Sequence, residues 1–79
     1  MPRFYTDFFN NTYEERDRIG REFESEDAAF AEAGRAAAGV LGDDLGGLRS
    51  PISIRLELRR DDGTHAGQVE VDARVRRQD

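Results

Sequence analysis

The chain has a single histidine, His65, which stands just after Asp61-Asp62-Gly63. Catalysis by such a residue needs a nucleophile beside it and a third group to orient it. His65 has no obvious local nucleophile and reads as a solvated turn residue. Asp43-Asp44 and Asp61-Asp62 are adjacent acid pairs. A calcium loop requires alternating oxygen ligands and a distal bidentate acid, and neither stretch has that spacing. Gly42, Gly46 and Gly47 lack the lysine of a phosphate loop and follow a helical segment rather than opening one. Without cysteine there is neither a disulfide nor a thiolate zinc site. We therefore expect no catalytic, cofactor-binding or metal-binding residues and no cofactor. Carboxylates are plentiful enough for acid–base work, but nothing selects two of them.

Arginine and aromatic residues offer more. All 12 basic residues are arginine, which suits bidentate pairing. Arg59-Arg60 and Arg74-x-Arg76-Arg77 form the one basic concentration. It could meet the acidic segment of a second copy or an acidic partner. Tyr5 and Phe9 alternate around Asp7 and could form an exposed aromatic patch, which more often marks a protein interface than a base-stacking platform. The expected interaction surface is thus Tyr5, Asp7, Phe9, Arg55, Arg74, Arg76 and Arg77.

The elements that must position these residues follow from periodicity. Ile52, Ile54, Leu56 and Leu58 are apolar at every second position, as are Val69, Val71, Ala73 and Val75. Each run is a strand with one buried face, and Asp-Gly between them signals a hairpin. A two-residue Asp62-Gly63 turn sets Leu56 opposite Val69, Ile54 opposite Val71, and Arg55 opposite Glu70 on the outer face. A slip of one residue would break these matches. Arg3–Phe9 is a strand with aromatics on both faces, hence central. Asn10-Asn11 is a turn, residues 12–17 form a weaker, polar edge strand, and Gly20 marks a turn or bulge that returns Phe23 to the core.

Ser25 is a helix N-cap, followed by Glu26 and Asp27 where the dipole favours acids. Ala29, Phe30, Ala33, Ala37, Val40 and Leu41 share one helical face. Continuing the helix would put Asp44 on that face, so it is expected to end near Leu41 with Gly42 as its cap. Gly34 and Gly39 read as packing accommodations, with neutral drift equally allowed. The remaining core candidates are Phe4, Phe8, Ile19, Phe23, Leu45 and Leu48.

The expected fold is α+β, a single ββαββ domain with strands at about 3–9, 12–17, 51–60 and 66–76 and a helix at about 26–41. The helix packs on one face of a four-stranded antiparallel sheet. With strand one between strands two and three, the order is 2-1-3-4. The other face then carries Tyr5, Asp7, Phe9, Ser53, Arg55, Glu57, Glu70 and Asp72, or the same set shifted in strand one.

The chain of 79 residues carries a formal charge of −5, unevenly spread. Residues 1–48 hold 5 arginines against 11 acids, and residues 49–79 hold 7 against 6. The acidic half repels phosphate backbones and argues against general nucleic-acid binding. No apolar run approaches the roughly 20 residues of a membrane span, and the N-terminus shows no signal-peptide core. A cytoplasmic location and no membrane partner are expected. A domain this small buries only about 60–65% of its unfolded surface, which favours help from a partner.

Met1-Pro2-Arg3-Phe4-Tyr5, Asp17-x-x-Gly20, the helix pattern Ser25-x-x-Ala28-Ala29-x-x-x-Ala33-x-x-Ala36-Ala37-x-x-Val40-Leu41, and Leu56-x-Leu58 before Asp61-Asp62-Gly63 carry a resemblance across nearly the whole chain. The chain resembles a family of short, uncharacterised bacterial proteins, a domain of unknown function. Members commonly have histidine where Asp7 stands and Asp-Gly where Asn10-Asn11 stand. The resemblance implies a stand-alone ββαββ unit and brings no activity, cofactor or catalytic residue. The function expected is a non-catalytic protein-interaction or regulatory module that associates as a homodimer or with a small protein. The alternative is an antitoxin-like, nucleic-acid-linked regulator acting through the Arg-bearing end of the hairpin. An enzyme using paired carboxylates ranks last, since no loop longer than about eight residues is evident to form a pocket.

Overall fold

Two alternating segments fold as the long strands that anchor the sheet. The computed structural model describes residues 1–78. Its elements are β1 (Arg3–Phe9), β2 (Glu14–Glu15), β3 (Arg21–Glu22), α1 (Glu26–Gly46), β4 (Ile52–Arg60) and β5 (His65–Ala73). The fold is α+β, with every strand pair antiparallel and α1 packed on β4 and β5. β1 is central, flanked by β4 on one side and by β2 and β3 on the other, and β5 ends the sheet. This is the expected strand order, but the second strand, expected over 12–17, is only Glu14–Glu15, and Arg21–Glu22 adds a short strand that was not expected.

The core is the inner row of β4 (Ile52, Ile54, Leu56, Leu58), Phe4, and the alanine stripe Ala29, Ala33 and Ala37. Small residues at that spacing put one helical face against the sheet. Phe30, Val40, Leu41 and Leu45 extend the contact. Phe23 reaches the core as expected and meets the Phe4 ring edge-on at 6.2 Å. Two expected core residues do not: Ile19 is 82% exposed and Leu48 is 69% exposed. A Cβ at Gly34 or Gly39 would meet no atom within 4 Å, so neither glycine accommodates packing.

The Ser25 hydroxyl accepts the Ala28 N–H at 3.1 Å, as an N-cap should. The helix does not stop at Leu41 but runs to Gly46, with Gly47 rather than Gly42 as its cap. Asp44 is tolerated on the packed side because its carboxylate reaches out to Arg49, 3.5 Å away. Beyond the cap, Leu48 N–H donates to the Leu45 carbonyl and Arg49 N–H to that of Asp44. This double closure needs a left-handed residue, which is usually glycine. Here it is Leu48, with φ +59°. Because Leu48 buries little and sits in a region costly to a side chain, Leu48→Gly is expected to stabilise the protein by about 1 kcal/mol, read from the denaturation midpoint.

The hairpin turn differs from the expected two-residue form. Arg60 N–H donates to the Thr64 carbonyl at 2.8 Å and Gly63 N–H to the Arg60 carbonyl at 2.9 Å. The loop is therefore the three residues Asp61, Asp62 and Gly63, with Gly63 at φ +88°. Alone, that turn would shift the register by one and set the two apolar rows on opposite faces. A bulge corrects it: Arg59 faces His65, Leu58 faces Gly67, and Ala66 is the extra residue. Leu56 then faces Val69, Ile54 faces Val71 and Arg55 faces Glu70, as expected.

Candidate functional site

The helix-free face carries the expected row, and its chemistry is set by β1 and β4. Their register opposes Tyr5 to Arg59, Asp7 to Glu57, and Phe9 to Arg55. The Arg59 guanidinium lies 5.1 Å from the Tyr5 ring centre and that of Arg55 4.2 Å from Phe9. Each aromatic expected as an open patch is thus lidded by a cation. The two opposed acids find arginines on β4: Asp7 binds Arg59, and Glu57 lies 2.7 Å from Arg55. Arg55 therefore turns along its own strand rather than across to Glu70.

Asp7 was expected on an exposed surface, but it is only 2% exposed. The reason is a cover built from the segment between β2 and β3. Arg59 Nε and Nη2 donate to the two Asp7 carboxylate oxygens at 2.8 and 3.0 Å. Arg59 Nη2 also donates to the Asp17 carbonyl at 2.9 Å, and Asp17 N–H donates to Asp7 Oδ1 at 3.0 Å. Arg16 stands 3.6 Å from the same carboxylate. The forked geometry suits a planar guanidinium, and the additional donors satisfy a carboxylate removed from water.

Asp17 holds this cover in place. Its carboxylate accepts the N–H groups of Ile19 and Gly20 on one oxygen, at 3.0 and 2.9 Å, and that of Thr6 on the other, at 3.0 Å. Thr6 lies in β1 between the stretches paired by β3 and β2. The side chain thus occupies a backbone donor where the edge pairing is interrupted, so the expected strand 12–17 is cut back to Glu14–Glu15 and pairing with β1 resumes only at Arg21–Glu22. Gly20 completes the turn at φ +75°, and a Cβ there would lie 2.8 Å from the Tyr5 ring. The Asp17-x-x-Gly20 spacing is therefore one local device, a turn seated beneath β1. Its role was not legible in the sequence because two of its partners, the Thr6 N–H and the Tyr5 ring, are distant along the chain.

The electrostatics follow from these bonds. The hydrogen bond from Arg59 holds the Asp7 carboxyl below its ordinary range, against the opposing effect of burial. For Asp17, burial pushes upward, but the donors from Gly20, Thr6 and Ile19 outweigh it and the carboxyl is also lowered. Both acids are ionised at neutral pH with their oxygens engaged, which fits a structural role better than proton transfer. His65 Nε2 is 3.6 Å from Glu57, too far for a hydrogen bond. Among the described residues, no three His, Asp or Glu side chains gather as metal ligands would.

The arginines grouped in the sequence are separated in space. Arg59 and Arg60 sit at the turn end, where Arg60 binds Glu26 at 3.0 Å. Arg74, Arg76 and Arg77 follow β5 at the opposite end, beyond Ala73 where the regular strand stops. The sequence had extended that strand to residue 76. Among the described residues none of these three has an acid within 4.0 Å, and the same is true of arginine partners for Glu70 and Asp72. Glu70 instead accepts from the Gln68 side chain at 2.6 Å. Two residue sets come apart: Tyr5, Asp7, Phe9 and Arg55 in a closed lattice, and Arg74, Arg76 and Arg77 on an open strand end. Among the described residues, no helix is long and apolar enough to cross a membrane.

Comparison with known proteins found no match among curated proteins and none among solved structures. A family model does match, over residues 3–72, spanning all five strands but the last residue of β5. The chain belongs to that family, described as a domain of unknown function, DUF6894.

Proposed function

We propose that this protein is a non-catalytic interaction module that works by associating with a second copy of itself. The observation that carries this reading is the edge of the sheet. β5 is nine residues long, pairs with β4 on one side, and among the described residues has no strand on the other. Such an edge presents a row of backbone donors and acceptors to any strand that fits. Its outward side chains, Gln68, Glu70 and Asp72, are exposed and include two acids, so they repel a second acidic strand and favour one with cations at the same spacing. The helix-free face supports the same reading, because its buried carboxylate, Asp7, is tied up by Arg59 and the Asp17 N–H rather than free for proton transfer. The expected result is concentration-dependent dimerisation in sedimentation equilibrium. A strict monomer at high micromolar concentration overturns the reading.

A further inference from the structure

The geometry points to a specific register for that association: residues 70–76 of two copies pair antiparallel about Ala73, setting Glu70 against Arg76 and Asp72 against Arg74. This inference rests on the self-association proposed above and adds the residues that would carry it. The segment reads Glu70-Val71-Asp72-Ala73-Arg74-Val75-Arg76. Its charges are antisymmetric about Ala73, with two acids before and two arginines after. Antiparallel pairing about a two-fold axis makes each residue face its reflection. Each copy's two acids therefore meet the other's two arginines, and Val71 meets Val75 twice.

Three structural observations show that the segment can present itself this way. The alternation of half-buried and exposed residues continues from Val69 through Arg76, past the end of the regular strand. Glu70, Asp72, Arg74 and Arg76 are all exposed, while Val71, Ala73 and Val75 are partly covered. The backbone phase is also correct. Val75 N–H donates to Ser50 Oγ at 2.9 Å, on the side where β4 lies. On an antiparallel strand, successive residues point their N–H and C=O groups to opposite edges. Those of Glu70, Asp72, Arg74 and Arg76 therefore face the open edge, and pairing about Ala73 matches outward-facing residues with one another. Finally, Glu70, Asp72, Arg74 and Arg76 have no ion-pair partner among the described residues.

Other registers are poorer. Centring the pair on Glu70 sets Glu70 against itself, and centring it on Val71 sets Glu70 against Asp72. Like charges directly opposite each other oppose pairing.

The test uses two charge-reversed forms of the full chain. One carries Glu70→Arg and Asp72→Arg, the other Arg74→Glu and Arg76→Glu. All four sites are exposed, and circular dichroism confirms that each form is folded. Each alone faces only like charges in this register and is expected to lose self-association by about a hundredfold or more. An equimolar mixture restores every pair and is expected to form the heterodimer at wild-type strength. Arg77→Ala lies outside the charge pairs and is expected to behave as wild type. If the two charge-reversed forms dimerise as well as wild type, or if mixing restores nothing, this register is overturned while self-association stands. If the wild-type protein is monomeric, both fall together.

Discussion

Replacing Arg59 with methionine is expected to destabilise the protein by about 3 kcal/mol at neutral pH and to shrink or reverse part of its pH dependence. Arg59 supplies both arms of the fork that satisfies Asp7. The Asp7 side chain is 3% exposed, against 30% for Arg59, so the substitution strands a carboxylate that water cannot reach. Losing one member of a buried pair costs about 3–5 kcal/mol. The lower end applies here because Asp17 N–H and Arg16 remain near the carboxylate. In the native protein, Asp7 and Asp17 titrate below their unfolded value, so they contribute stability that is present above about pH 4 and lost as the pH falls further. In the variant, the principal cause lowering Asp7 is gone and burial pushes it upward. Its folded value then moves up, opposed only by the Asp17 N–H and Arg16, and the share of acid sensitivity that Asp7 supplies should shrink or reverse. Urea unfolding at several pH values reads this directly. Adding Asp7→Leu to Arg59→Met should recover part of the loss by removing the stranded charge. If stability of the single variant falls with pH as in wild type, the Arg59–Asp7 pair is not what holds the cover down.

Gly67→Ala is expected to cost about 3 kcal/mol, from two separable causes. Gly67 has φ +147°, a conformation that a side chain strongly resists. An added Cβ would also lie 2.8 Å from Phe30 Cζ, in the packed layer between sheet and helix. The effect should exceed that of any surface alanine because Gly67 closes the bulge on which the hairpin register depends. Combining Gly67→Ala with Phe30→Leu gives the steric part room. The double variant should then lose less than the sum of the two single changes, leaving the backbone cost of about 1–3 kcal/mol. Strict additivity in thermal or urea unfolding would show that the ring contact contributes nothing.

The same glycine shows where sequence reasoning succeeded by an incorrect route. The alternating rows specify which residues must share a face, and burial enforces that register whatever the turn does. A two-residue turn satisfies it simply; the protein uses a three-residue turn and an added residue at Ala66. Patterning was thus legible and turn chemistry was not, because two offsets cancel. The helix was legible from its alanine face, but its end was not. The excluding argument placed Asp44 in an apolar setting, whereas its side chain reaches Arg49. Asp7 was placed correctly on the helix-free face and wrongly in solvent. What covers it is a turn whose hold depends on Thr6, Gly20 and Arg59, contacts that no local spacing reveals. The charges of the open strand end were visible in the sequence, but which of them lack partners was legible only from the fold.

Asp17 has a consequence for the size of any assembly. A sheet with two open sides can add strands without limit, as fibrils do. Here the β1 side carries only two fragments of two residues each, with a carboxylate holding the Thr6 amide between them. A newcomer finds no continuous ladder to extend there, whereas the β5 side offers nine residues. If two copies join through β5 as proposed, the sheet side left to each is the interrupted one. The proposed assembly is then expected to stop at two.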